Sequence, residues 1–270
     1  MILNAINGAV KIGGTEMYYA CFGHGKKTLT VLPGLSDGLA TVKGKAMLLA
    51  GSYRPILDDY TVYMFSRKND MPEGYSIWDM AHDQAAALKE LGVEKTAVLG
   101  VSQGGMIALA MALDHPGLVE KLALAVTAPR VNPLITERVG RWIGLAEAGD
   151  HKQLMIDTVE NSYSPERLKK LRRAYHLIGN ISKPKDYQRF LINAQAILAF
   201  DAFDRLGSAT CPTLIIAGED DNIVGVEASR EMHERIPNST LHVYPGLGHA
   251  AYEEAADFYG RIFQFLKTDE

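Results

Sequence analysis

The chain has 270 residues, 47% of them hydrophobic and 22% charged, with a net charge of −4. That length suits one large α/β domain, or such a core carrying an inserted subdomain, because a single apolar core stops growing near this size. The composition excludes a disordered or collagenous chain and gives no reason to expect nucleic acid as a partner; two cysteines, Cys21 and Cys211, are too few for a disulfide framework and lack the paired spacing of a zinc site.

From Met1 to Asn7 no basic stretch precedes an apolar run, so neither a signal peptide nor a lipid anchor is expected. No stretch approaches the ~20 continuous apolar residues of a membrane span. The expectation is a cytoplasmic protein with no membrane partner.

Ala9 to Ile12 and Glu16 to Cys21 are joined by Gly13-Gly14 and predict a hairpin, so the sheet begins antiparallel. Six nearly unbroken apolar runs of strand length follow: Thr28 to Leu32, Thr61 to Phe65, Thr96 to Leu99, Leu122 to Val126, Thr213 to Ala217 and Leu241 to Tyr244. Strands apolar on both faces belong to a parallel sheet covered by helices on each side, which places the fold in the α/β class. Ile77 to Leu91 is a helical pattern closed by Gly92, and Gln103 to Leu113 is a helix stopped before Pro116. The second is apolar all round and must be buried.

Between about Pro129 and Phe200 four helical stretches follow one another without a strand. They predict a helical cap, residues 130–200, inserted in a core made of 1–129 and 201–270. The cap has an excess of Lys and Arg, densest from Arg167 to Arg173, where Leu168 and Leu171 suggest a solvated helix face with a buried edge.

Gly100-Val101-Ser102-Gln103-Gly104 has the form Gly-x-Ser-x-Gly. A shuffled chain of this composition holds that pattern about 0.09 times, so its neighbours must confirm it. They do: the serine directly follows a predicted strand and directly precedes the buried helix, the sharp turn that exposes a serine Oγ at the top of a sheet. Two flanking positions without side chains let strand and helix approach. No phosphate-cradling glycine motif is present. Ser102 is therefore the candidate nucleophile.

A serine hydroxyl needs a base, and histidine serves best near neutral pH. Of eight histidines, His249 follows the last predicted strand in a glycine-rich loop, over the strand ends where α/β sites form. His82, on the helix after Tyr75, is a lesser candidate for the pocket. The orienting acid belongs just past a strand end between Ser102 and His249. Glu219, Asp220 and Asp221 all stand there, and spacing does not choose among them. The Gln103 N–H, first in the helix after the serine, can donate to an oxyanion with the help of the helix dipole.

From about Thr28 to Phe265 the chain resembles the α/β-hydrolase superfamily with a helical cap. The resemblance rests on Leu32-Pro33-Gly34-Leu35, Tyr75 to Ala81, Gly100 to Gly105, Gly218 to Val224 and Gly246-Leu247-Gly248-His249, in that order. It implies an eight-stranded, mostly parallel sheet. It implies Asp221 as the acid, from Gly-x-x-Asp-x-x-Val at Gly218, Asp221 and Val224, with Asp220 in reserve, and Leu35 as the second oxyanion N–H. Two departures stand out: Pro33 replaces a histidine common before the glycine, and Ser66 to Asp70 replaces an Asp-x-Gly-rich loop. Arg67 or Lys68 in that loop is a candidate to touch a substrate, with a solvated loop charge the expectation.

The expected activity is hydrolysis of a small carboxylic ester through an acyl-enzyme, with Ser102, His249 and Asp221 as the triad, Leu35 and Gln103 as oxyanion donors and no metal or organic cofactor. The expected partner is a small acyl substrate; a homodimer is left open. Lactone, amide, peptide or carbon–carbon bond hydrolysis, perhydrolysis, and a ligand-binding receptor on the same scaffold are the rivals. Trp142, Phe190 and Ile197 of the cap are candidates to face the substrate, with ordinary helix packing the expectation for any one of them.

Overall fold

A computed structural model describes residues 3–174, 177 and 183–268. Its eight strands are β1 (Ile6–Ile12), β2 (Thr15–Gly23), β3 (Lys27–Leu32), β4 (Tyr60–Lys68), β5 (Thr96–Val101), β6 (Val119–Ala125), β7 (Thr213–Gly218) and β8 (Ser239–Tyr244). They form one sheet in the order β1-β2-β4-β3-β5-β6-β7-β8. Only β2 runs against its neighbours; every pair from β4 onward is parallel. The Gly13-Gly14 turn closes the β1–β2 hairpin with both glycines at positive φ.

Each inner strand feeds both faces because successive side chains point to opposite sides. On β5, Val98 joins one core while Ala97 and Leu99 join the other. Leu32 and the helix after β5 share the first core; Leu29, Val31 and the C-terminal helix share the second. This two-sided burial is what the unbroken apolar runs anticipate.

The helices are α1 (Ala46–Leu49), α2 (Ile77–Glu90), α3 (Gln103–Asp114), α4 (Pro133–Glu147), α5 (His151–Ser162), α6 (Pro165–Leu171), α7 (Gln188–Leu198), α8 (Val226–Arg235), α9 (Ala251–Glu254) and α10 (Phe258–Lys267). Ser76 caps α2 in a reciprocal capping box with Asp79. Every residue of α3 from Gln103 to Leu113 is buried. Two helices follow β8: α9 ends at Glu254 and α10 starts at Phe258.

Helices α4 to α7 lie between β6 and β7, so the sheet is interrupted where the sequence loses its strands. Their N-termini carry the expected signals: Asn132, Asp150 and Ser164 each accept a backbone N–H at the third residue on, with Pro133 and Pro165 in the first turn. Of the predicted 130–200 segment, positions 175, 176 and 178–182 lie outside the described residues. In α6, Leu168 is buried while Arg167, Lys169 and Lys170 are exposed, the solvated face with a buried edge. Cys21 and Cys211 are free and half-buried.

Candidate active site

The sheet's order reverses direction around β3, whose two neighbours are β4 and β5. Ligand crevices form at such switch points, beyond the strands' carboxyl ends. The loops after β3, β5, β7 and β8 bring Gly34-Leu35, Ser102, Asp221 and His249 to one place.

Ser102 adopts φ 54° and ψ −121°, a left-handed conformation unusual for a residue with a side chain and worth about 1–3 kcal/mol of strain. The surroundings enforce it: the Ser102 N–H donates to Ala125 O at 2.9 Å, and Thr127 Oγ1 donates to Ser102 O at 2.7 Å. The flanking glycines are required by close approach. A Cβ on Gly100 would sit 2.3 Å from Gly104 O, and one on Gly104 would sit 1.9 Å from Leu32 O. Ser102 makes no side-chain cap to α3, which leaves its hydroxyl for another partner.

That partner is His249, whose Nε2 lies 3.0 Å from Ser102 Oγ. On the other side of the ring, Nδ1–H donates to Asp221 Oδ2 at 2.8 Å. Since the carboxylate can only accept, Nδ1 carries the proton and Nε2 is the free base. Asp221 Oδ1 accepts the Ile223 and Val224 N–H groups at 2.8 and 3.0 Å. Burial alone would raise the Asp221 pKa, but His249 and the two amides outweigh it and hold the carboxyl below its usual value. Glu219 and Asp220 are exposed; the Asp220 backbone instead ties the β7 loop to Leu247 O at 2.9 Å. Tertiary position thus separates three carboxylates that spacing leaves equal.

Gln103 opens α3 and Leu35 opens a short 3-10 turn, Leu35–Gly38. Neither amide has an acceptor within its own turn, and both are free in that sense to bind an anion. Gly34 brings this loop against the serine: a Cβ there would stand 3.3 Å from Ser102 Cβ.

Three side chains behind these amides escape sequence reasoning. Arg67 is 1% exposed and lies on β4, which continues past its apolar run to Lys68; the reading of Arg67 as a solvated loop charge is overturned. Its Nη2 donates to Gln103 Oε1 at 3.0 Å and its backbone N–H to Asp37 Oδ2 at 3.0 Å. Arg189 on α7 donates Nη2 to the same Asp37 oxygen at 2.7 Å and Nε to Asp37 O at 3.1 Å. Burial lowers the Arg67 pKa to about 10, Asp37 opposing the shift and Arg189 adding to it. The polar stretch after an apolar run looks like a loop, so no local signal marks Arg67 as buried. Lys68 reaches Asp83 at 3.1 Å.

A cavity of about 130 Å³ opens at Ser102 and His249. Trp142 of α4, Leu154 and Met155 of α5 and Phe190 of α7 line it, with Ile223 and Tyr252 from the core loops. Ile197 does not line it and is packed in the core. His82 is also elsewhere, its Nδ1 3.0 Å from His115 Nε2 on another surface. Among the described residues no cluster of three His, Cys, Asp or Glu is placed to hold a metal ion, and no helix is long and apolar enough to cross a membrane.

A family model described as alpha/beta hydrolase fold matches residues 52–256. The chain is 27% identical over 250 residues to RutD of Caulobacter sp. (strain K31), a carbamate-hydrolase candidate, covering 90% of this chain and 92% of that one. It is 28% identical over 268 residues to 2-hydroxy-6-oxononadienedioate/2-hydroxy-6-oxononatrienedioate hydrolase 1 of Dechloromonas aromatica (strain RCB), covering 93% and 90%. Among solved structures, MGS-M2, an alpha/beta hydrolase enzyme from a Medee basin deep-sea metagenome library, superposes with a TM-score of 0.87 at 18% identity, covering 97% of this chain and 98% of that one.

Proposed function

Given that the chain belongs to the alpha/beta hydrolase fold family and is a hydrolase, we propose that it cleaves a small carboxylic ester by acyl transfer from Ser102. The observation that carries this reading is the unbroken chain from Ser102 Oγ through the His249 ring to Asp221. Ser102 Oγ attacks the ester carbonyl while His249 Nε2 takes its proton. The carbonyl oxygen becomes an anion, held by the Leu35 and Gln103 N–H groups. The intermediate collapses, the alcohol leaves with the proton from His249, and the acyl group stays on Ser102. Water, deprotonated by His249, then attacks the acyl carbonyl and releases the acid and Ser102. Asp221 holds the ring in the working tautomer and stabilises the imidazolium.

In this reading residues 130–200 are a cap that shapes the cavity and limits water at the reacting carbonyl. The protein works in the cytoplasm on a small molecule, without nucleic acid, membrane, metal or organic cofactor. A carbamate or carbon–carbon bond is the second reading, favoured by the names of two relatives. A panel of short p-nitrophenyl esters, carbamates and vinylogous ketones, run beside Ser102→Ala and His249→Ala, tests it. Equal ester hydrolysis by wild type and Ser102→Ala sinks the mechanism; preference for another bond sinks the ester.

A further inference from the structure

Among the described residues, those lining the cavity at Ser102 include no Lys, Arg, Asp or Glu. Basic groups do stand nearby in the chain, but each is already engaged. Arg189 precedes Phe190, yet its guanidinium is directed to Asp37 and to the carbonyls of Arg67 and Lys68, at 2.7 to 3.1 Å. Arg67 is held by Gln103 and Asp37. Arg141, beside Trp142, pairs with Asp157.

The polar atoms of the helical wall point the same way. Thr158 Oγ1 donates to Leu154 O at 2.8 Å and Ser162 Oγ donates to Thr158 O at 2.6 Å. Their protons go to the backbone, so they turn lone pairs rather than donors toward a ligand. The Trp142 indole N–H donates to Asp157 Oδ1 at 2.9 Å, which removes another donor and puts a carboxylate behind the aromatic wall. Ser36, which is exposed, adds an uncharged hydroxyl, and Tyr252 adds a phenol whose hydroxyl is hydrogen-bonded to Glu253.

We propose that the substrate group filling this cavity is uncharged, apolar and short, roughly four to six carbons, by analogy with a benzene-sized apolar cavity of about 150 Å³, and that an anionic group is rejected there. An ionised carboxylate brought in beyond the oxyanion amides would lose its water and find no cation and few free donors in exchange, while apolar atoms gain by leaving water. This rests on Ser102 being the nucleophile. It separates the chain from the relative named as a hydrolase of a dienedioate, since a dioate carries two carboxylates.

Three fluorophosphonate probes, with butyl, 3-carboxypropyl and decyl chains, test the inference on the full chain, with the labelled residue mapped and the rates compared. The butyl probe should label Ser102 about 100-fold faster than the carboxypropyl probe, an isolated charge being costly to bury. Met155→Lys, which sets a cation in the wall, should shrink that ratio at least ~10-fold; a ratio of rates does not depend on how much of the variant folds. Equal or faster labelling by the anionic probe, or an unchanged ratio in Met155→Lys, overturns the charge rule. Decyl labelling as fast as butyl overturns the size limit. If no probe labels Ser102, the nucleophile reading fails and this inference with it.

Discussion

Arg67 Nη2 donates at 3.0 Å to the side-chain oxygen of Gln103, the residue whose backbone N–H opens α3 beside the nucleophile. The Gln103 amide nitrogen in turn donates to Asn193 O of α7 at 2.7 Å. One side chain thus ties β4, α3 and α7 together immediately behind the site.

Arg67→Met keeps the volume and removes the charge. Breaking one side of a buried ion pair costs about 3–5 kcal/mol, and Asp37 then keeps Arg189 as its remaining cation. The expected outcome is a lower denaturant midpoint together with a fall in kcat of about 10–100-fold and little change in KM. A wild-type kcat in the folded variant removes Arg67 from the positioning of Gln103.

Ser102→Ala and His249→Ala should each lower kcat by about 10⁴–10⁶-fold. The double variant should lose little more than either single one, because the two act as a unit. Additive losses in ester hydrolysis contradict a shared proton path between Oγ and Nε2.

Asp221 has a folded-state pKa below the ordinary carboxyl value of 3.8. The folded state therefore binds its proton less readily than the unfolded chain, so its contribution to stability is full above about pH 4 and is lost as pH falls through the lowered value. Asp221→Asn should flatten the acid side of the stability curve below about pH 4, and should lower kcat near pH 7 about 10⁴-fold through the wrong tautomer. Urea midpoints against pH check the first, and an acid limb as steep as wild type contradicts it.

Gly104→Ala places a methyl 1.9 Å from Leu32 O, whereas Gly117→Ala meets nothing within 4 Å. The first must push α3 away from the end of β3, costing about 1–3 kcal/mol or more and most of the activity. Gly117→Ala should leave both the melting temperature and kcat within error, which makes it the control in a thermal-denaturation and esterase comparison.

How much of this was legible in the sequence follows from how far each signal reaches along the chain. The strands from Thr28, Thr96 and Thr213 are apolar on both faces, and that run is itself the mark of a doubly covered sheet. Ser102 and His249 stand out because glycines, a strand end and a helix start lie within a few residues of each. Arg67 left no such mark. Its partners Asp37, Gln103 and Arg189 stand 30, 36 and 122 positions away, and a charged residue after an apolar run reads as a turn until those partners are in place.

The sequence by itself determined the sheet, the helical interruption after β6 and the strand–serine–helix turn, because these rest on local periodicity and on glycines that a close backbone approach demands. Spacing left Asp220 and Asp221 equal, the resemblance pointed to Asp221, and the tertiary structure seats it on His249; only that structure decided that Arg67 is buried and that Trp142 and Phe190 line the cavity at Ser102 while Ile197 does not. The physical reason is the same in each case. A hydrogen bond or a cavity wall joins groups far apart along the chain, and its existence depends on the packing of whole helices and strands against one another.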